Sequence, residues 1–203
     1  MERVREGEAR VKFEAVRVGT LSRAPASEGQ ALCAAIQWMA ETGLSPVLED
    51  GAFAGNGAVL EDGVLFVSPS GRKTAALLPH ELIEVVAFDV DAWRMTYRSG
   101  DPNAKPTSDS PLHFAILREA TRASCSLHGH VLTGDEDAAR TQLPISTDAT
   151  EFSTPADREG LLTLMRAHPH LRHDAWIRRN HGVFVIGKTI SLTRARLDAL
   201  RAK

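Results

Sequence analysis

Ala123-Ser124-Cys125-Ser126-Leu127-His128-Gly129-His130 is an apolar run that ends in two histidines one residue apart. Side chains two apart on a strand point to the same face. A buried strand over 123–127 therefore delivers His128 and His130 to one side. Two imidazoles on one side suit a tetrahedral metal that takes three protein ligands and keeps one position open. A third isolated histidine follows in Arg179-Asn180-His181-Gly182, between two apolar segments. Imidazole ligands point to zinc, with other first-row divalent ions as alternatives. An H-x-H pair by itself is equally a pair of satisfied structural histidines. The third histidine in its Asn-His-Gly setting favours the metal.

Outward from this strand, elements of both kinds alternate. Upstream, residues 11–18 alternate as a strand and Ala24-Pro25-Ala26 breaks the pattern. Ser27 opens a helix with Gln30 as its capping-box partner, striped by Leu32, Ile36 and Met39 and ended by Gly43. Residues 44–58 read as a loop region around Gly55-Asn56-Gly57. Val64–Val67 is a short strand entering Ser68-Pro69-Ser70-Gly71. Leu78–Leu82 is a helical turn, Val85–Asp89 a strand, and Trp93–Tyr97 its hairpin partner. Ser110 caps a helix with Pro111 in its first position. Downstream, Leu143–Ile145 is a short strand, and Thr154-Pro155 starts a helix with Leu161, Leu164 and Met165 inward. Ala175–Arg178 and Val183–Ile186 are strands flanking Asn-His-Gly, and a last helix starts near Ser191. Several short connections favour antiparallel pairing. The expected fold is α/β: a three-layer α/β/α domain over residues 1–203, around a mainly antiparallel sheet, with 1–26 as an N-terminal extension.

Composition narrows the function. The 203 residues are 43% hydrophobic and 25% charged, with a formal charge of −2. That balance gives no electrostatic footprint for nucleic acid or an anionic membrane. No apolar run approaches the roughly 20 residues that span a bilayer. Met1–Glu8 is charged and carries no apolar leader segment, and the two cysteines, Cys33 and Cys125, read as buried thiols. A cytoplasmic location is expected. The remaining chemistry-bearing residues take plainer readings. His168, His170 and His173 lie in a polar run read as a solvated loop. His80 and His113 read as helix-start or surface residues, and Glu81 and Glu84 as surface residues. Trp38, Trp93 and Trp176 read as core or interface, and Arg178-Arg179 and Arg194–Arg201 as solvated faces.

Taken in order, Gly55-Asn56, Ser68-Pro69-Ser70-Gly71-Arg72, Lys105-Pro106-Thr107-Ser108-Asp109, His128-Gly129-His130 and Arg179-Asn180-His181-Gly182 resemble the class II aldolase/adducin family, over about residues 27–195. The resemblance implies zinc held by His128, His130 and His181, and a homotetramer with active sites between subunits. It also implies a pocket for the substrate phosphate at Asn56, Ser70, Gly71, Thr107 and Ser108. On residue type alone those five are turn formers. The family's Gly-Asn-x-Ser becomes Gly55-Asn56-Gly57-Ala58, one hydroxyl fewer, which leaves a carboxylate or an unphosphorylated polyol open as the ligand.

Asp109 stands where the aldolases of that family carry a catalytic Glu. Asp is one methylene shorter, and 106–113 looks most like the epimerase version. The resemblance makes Asp109 the candidate catalytic residue, as a proton-transfer group or a metal ligand. Its plain reading is a carboxylate ahead of a helix cap. The epimerase's further acid falls on Thr150, with Asp148 and Glu151 nearby, and no tyrosine follows the last helix; Tyr97 is the chain's one tyrosine. The expected activity is a zinc-dependent lyase cleaving a small, phosphorylated ketose by retro-aldol chemistry. The alternatives are a sugar-phosphate 4-epimerase and a non-catalytic, adducin-like oligomerising module.

Overall fold

The computed structural model describes residues 10–169 and 174–202. Among them, eight strands form one sheet: β1 (Glu14–Arg17), β2 (Asn56–Glu61), β3 (Val64–Val67), β4 (Ile83–Asp89), β5 (Arg94–Ser99), β6 (Cys125–Gly129), β7 (Ala175–Arg178) and β8 (Gly182–Gly187). Their order is β1-β5-β4-β3-β2-β6-β8-β7. Every pairing is antiparallel except β1 with β5. The five helices are α1 (Ser27–Glu41), α2 (Ser110–Glu119), α3 (Asp135–Thr141), α4 (Pro155–Ala167) and α5 (Ile190–Arg201). A 3₁₀ turn spans Pro79–Glu81.

Both faces of the sheet are covered, which explains why its central strands read as continuous apolar runs. Val59, Phe66, Leu127, Ile177 and Val185 point to one side, where they pack on Leu32 and Ile36 of α1, Ala138 of α3 and Leu197 of α5. Their neighbours Ala58, Val67, Trp176, Phe184 and Ile186 point to the other, against Leu112 and Ile116 of α2 and Leu161 and Met165 of α4. This period-2 sorting makes the expected three layers. Trp176 and Phe184 are among the largest fully buried side chains.

The strand expected within 11–18 forms as β1, and Phe13 beside it is buried. Several other local expectations fail for physical reasons. The supposed loop at 44–58 contains the start of β2, a strand hidden by its glycine and alanine content. The helix α3 has too few apolar residues to show a stripe. Residues 143–145 supply one bridge, Ile145 to Ile177, and no strand. Helix α1 lacks the Ser27–Gln30 capping box. Instead the Glu61 carboxylate, from β2, accepts from the Ala26 and Glu28 N–H groups at 2.7 and 2.9 Å. Asp109, rather than Ser110, occupies the N-cap position of α2, yet its side chain makes no cap bond. Arg166 and Ala167 belong to α4, His168 caps its exposed C-terminal end, and His170 and His173 lie outside the described residues. Glu84 is buried, accepting from Ser22 and Arg98.

Candidate metal centre

The end of β6 carries the first two histidines. His128 is fully buried, paired across β2 to Asn56 and across β8 to Phe184. The Phe184 ring stacks on its imidazole at 4.3 Å. His128 Nδ1–H donates to the Val183 carbonyl at 3.1 Å, which leaves the Nε2 lone pair as the outward nitrogen. That Nε2 is buried and has no hydrogen-bond partner among the described residues. His130 lies just past the strand, its N–H anchored on the Leu44 carbonyl.

The β7–β8 hairpin brings the third. Asn180 sits in the left-handed region at φ 60°, a conformation Asn tolerates well. Its N–H donates to the Thr133 carbonyl at 2.8 Å. Gly182, at φ 152°, passes so close to β6 that a Cβ there would strike the Gly129 carbonyl oxygen and stand 3.0 Å from His128 Cε1. Asn-His-Gly is therefore a turn residue, a presented imidazole and a close-approach residue. The rings of His128, His130 and His181 stand 4.8–5.0 Å apart, centroid to centroid.

Asp109 completes the cluster, with one ligand atom from each of the four residues within 4.8 Å of the others. Its Oδ2 is 3.7 Å from His128 Nε2 and accepts from Asn56 Nδ2 at 2.7 Å. Asn56 Oδ1 in turn accepts from His113 Nε2 at 2.6 Å, and His113 Nδ1 meets the Ser126 hydroxyl at 2.6 Å. On the other side, Arg178 Nη1 donates to Asp109 Oδ1 at 3.2 Å and Nη2 to Asp157. Burial alone would raise the Asp109 carboxyl, but Arg178, His181 and the Asn56 amide outweigh it and hold it at about 2. Burial pushes His130 down to about 4, and His128 and His181 well below the ordinary imidazole range. Neutral imidazoles beside an ionised carboxylate are the protonation states that metal ligation needs.

The cluster opens to a cavity lined by His130, His181, Asn56, Ser70, Gly71, Thr107, Ser108, Arg10 and Phe152. Two turns build its polar wall. Ser70 N–H donates to the Lys105 carbonyl and Thr107 N–H to Ser68, so 68–71 and 105–108 are laced side by side. All five residues expected around an anion thus share one cavity. Asn56 differs from the rest, because both ends of its amide are engaged inside the protein.

The family model for the class II aldolase and adducin N-terminal domain matches residues 30–202. The chain belongs to the class II aldolase/adducin family. The fold agrees with solved members of low sequence identity. An L-fuculose 1-phosphate aldolase superposes with TM-score 0.65 at 13% identity, covering 90% of this chain and 85% of that one. A sugar-phosphate aldolase from Thermotoga maritima gives TM-score 0.65 at 15% identity, covering 86% and 90%. A Kluyveromyces lactis methylthioribulose-1-phosphate dehydratase is 32% identical over 72 residues, 36% of this class II aldolase-family chain and 32% of that protein. The alignment thus spans about a third of the curated relative's length.

Four members of the site escape the sequence reading. His113 is fully buried in α2 rather than on the surface, and burial holds it neutral, at about 4. Ile116 and Leu117, three and four residues on, shared its face and were the available signal. Arg178 is buried, not solvated. The alternation through Trp176 could have placed it on the inner side of β7. Asp157 and Arg10 carried no local signal, since each reaches the centre only through tertiary packing. At the position of the epimerase's further acid, Thr150 donates to Asp157, and the neighbouring Glu151 pairs with Lys12.

Proposed function

We propose that this chain is a divalent-metal-dependent lyase that cleaves a small, phosphorylated ketose by retro-aldol chemistry. His128, His130 and His181 hold the ion, with zinc the expected metal. The supporting observation is the tripod of neutral imidazoles with an ionised carboxylate beside it, opening to a cavity walled by hydroxyls and turns. A bound divalent ion supplies a Lewis acid for a carbonyl and its neighbouring hydroxyl.

The chain's own residues do the rest. Ser70, Thr107 and Ser108 offer hydroxyls, and Gly71 backbone, to the substrate's anionic end. Arg10, ion-paired with Asp50, also lines that wall. Asn56, itself oriented by His113 and Ser126, aligns Asp109. With its Oδ2 3.7 Å from His128 Nε2, Asp109 stands beside the metal site, placed to move a proton or to stabilise charge at the reacting carbons. The reading includes a cytoplasmic homotetramer, which light scattering tests directly: a monomer at micromolar concentration contradicts it.

The dehydratase relative supports a second reading, loss of water from the same class of substrate. Incubation with a panel of ketose phosphates separates the possibilities. Released aldehyde marks aldol cleavage, a dehydrated product of unchanged carbon count marks the dehydratase, and an altered stereocentre marks the epimerase. Chelation should abolish turnover and zinc should restore it. A chain that binds no divalent metal and turns over none of the panel would leave only the oligomerising module.

A further inference from the structure

Arg178 is an unusual occupant of the inner end of a buried strand. Its side chain is 4% exposed, and its guanidinium lies 5.6 Å from the centre of the Phe184 ring. It is shared between two buried carboxylates, each 1% exposed. Asp109 takes Nη1 through a single bond at 3.2 Å, while Asp157 takes Nη2. Asp157 is itself fastened, accepting from Thr150 Oγ1 at 3.0 Å and from the Ser153 N–H at 3.2 Å. Behind Asp157 and Arg178 lies a second cleft of ≈ 320 Å³, lined also by Asp148 and Thr150.

The arrangement bears on what Asp109 does. An unrestrained carboxylate among three imidazoles is a strong fourth ligand, and it would fill the position that a catalytic site keeps for substrate. Arginine stays charged at any working pH, and its planar fork directs its N–H groups at fixed angles. A guanidinium that grips one carboxylate with both arms makes a strong bidentate pair. Here Asp157 occupies one arm, so the hold on Asp109 is partial.

We propose that Arg178, braced by Asp157, competes with the bound cation for the Asp109 carboxylate and so keeps Asp109 from closing the metal site against substrate. Arg178 and Asp157 are positioning residues, and the inference rests on the metal site of the proposed function. Loss of Arg178 frees Asp109 for the metal. Loss of the Asp157 charge gives Arg178 wholly to Asp109.

The two substitutions therefore act in opposite directions on zinc affinity, measured on the full-length metal-stripped chain against a chromogenic chelator. Arg178→Gln should tighten zinc by about tenfold, the lower end of what outer partners of metal ligands command, while kcat falls. Asp157→Asn should weaken zinc by a similar factor. In an Asp109→Asn background Arg178→Gln should no longer tighten it. The double variant Arg178→Met, Asp157→Leu removes Arg178 together with its brace, leaves Asp109 held only by Asn56, and should also bind zinc more tightly. It serves if Arg178→Gln fails to fold. A merely structural pair would make every variant bind more weakly as stability falls, and that result, or unchanged affinity throughout, overturns the inference. A native chain that binds no zinc instead overturns the metal site itself.

Discussion

Gly182 shows how one residue's missing side chain shapes the centre. Its backbone must reach the Gly129 carbonyl so that the β7–β8 turn can set His181 beside His128. With Ala at this position the new methyl has nowhere to go, because the nearest atoms are backbone and the ring of His128. The left-handed φ adds strain for any L side chain. Gly182→Ala should cost about 3 kcal/mol, the upper range for overpacking a filled site, and should lower zinc content in step. Urea unfolding with metal analysis checks both; a variant with native stability and full zinc would show that the turn can move aside. Asp109 shows the complementary case, since a helix-start carboxylate is ordinary in sequence and only its neighbours turn it toward the histidines.

Among the elements, α1 depends on a contact that its own sequence does not contain. Its first N–H groups lack intrahelical acceptors, as in every α-helix. Glu61 supplies them, reaching Ala26, Glu28 and Gly29 from β2. Glu61→Ala should lower stability by about 1–2 kcal/mol, the worth of a good N-cap with its helix-dipole contribution. Zinc affinity should stay native, because none of these atoms touches the site. Equal urea midpoints for the variant and the native chain would show that water replaces the carboxylate. The same lesson applies to β2, which glycine and alanine disguise as loop: a strand buried on both faces between β3 and β6 tolerates small residues because its neighbours supply the packing.

At the scale of the whole molecule, buried histidines set the response to acid. His113 titrates at about 4 in the folded chain, against an ordinary value of 6.5. Between those values the unfolded chain binds the proton and the folded chain does not, so stability falls as pH falls through this window. His128, His130 and His181 are displaced in the same direction. Asp157 opposes them: raised to about 6, chiefly by burial, it favours the folded state on the acid side, and that contribution is lost as pH rises through 6. The histidines outnumber it. The metal-free chain should therefore lose stability between pH 6.5 and 4, read as a falling urea midpoint, and His113→Asn should flatten the slope. A midpoint that rises on acidification would mean that Asp157 dominates.

The sequence by itself determined the layered α/β plan and the imidazole tripod. Period-2 alternation and the H-x-H spacing are local properties, and Val64–Val67 and the Asn-His-Gly turn can be read from a few consecutive residues. Tertiary structure alone decided how the site is wired. Arg178 resembles any basic strand end until Asp109 and Asp157, 69 and 21 residues away, close around it. His113 reads as a surface residue until Asn56 and Ser126 meet its two nitrogens. Buried polar groups need partners, and those partners come from wherever the fold brings the chain together. No local pattern in the chain encodes that choice.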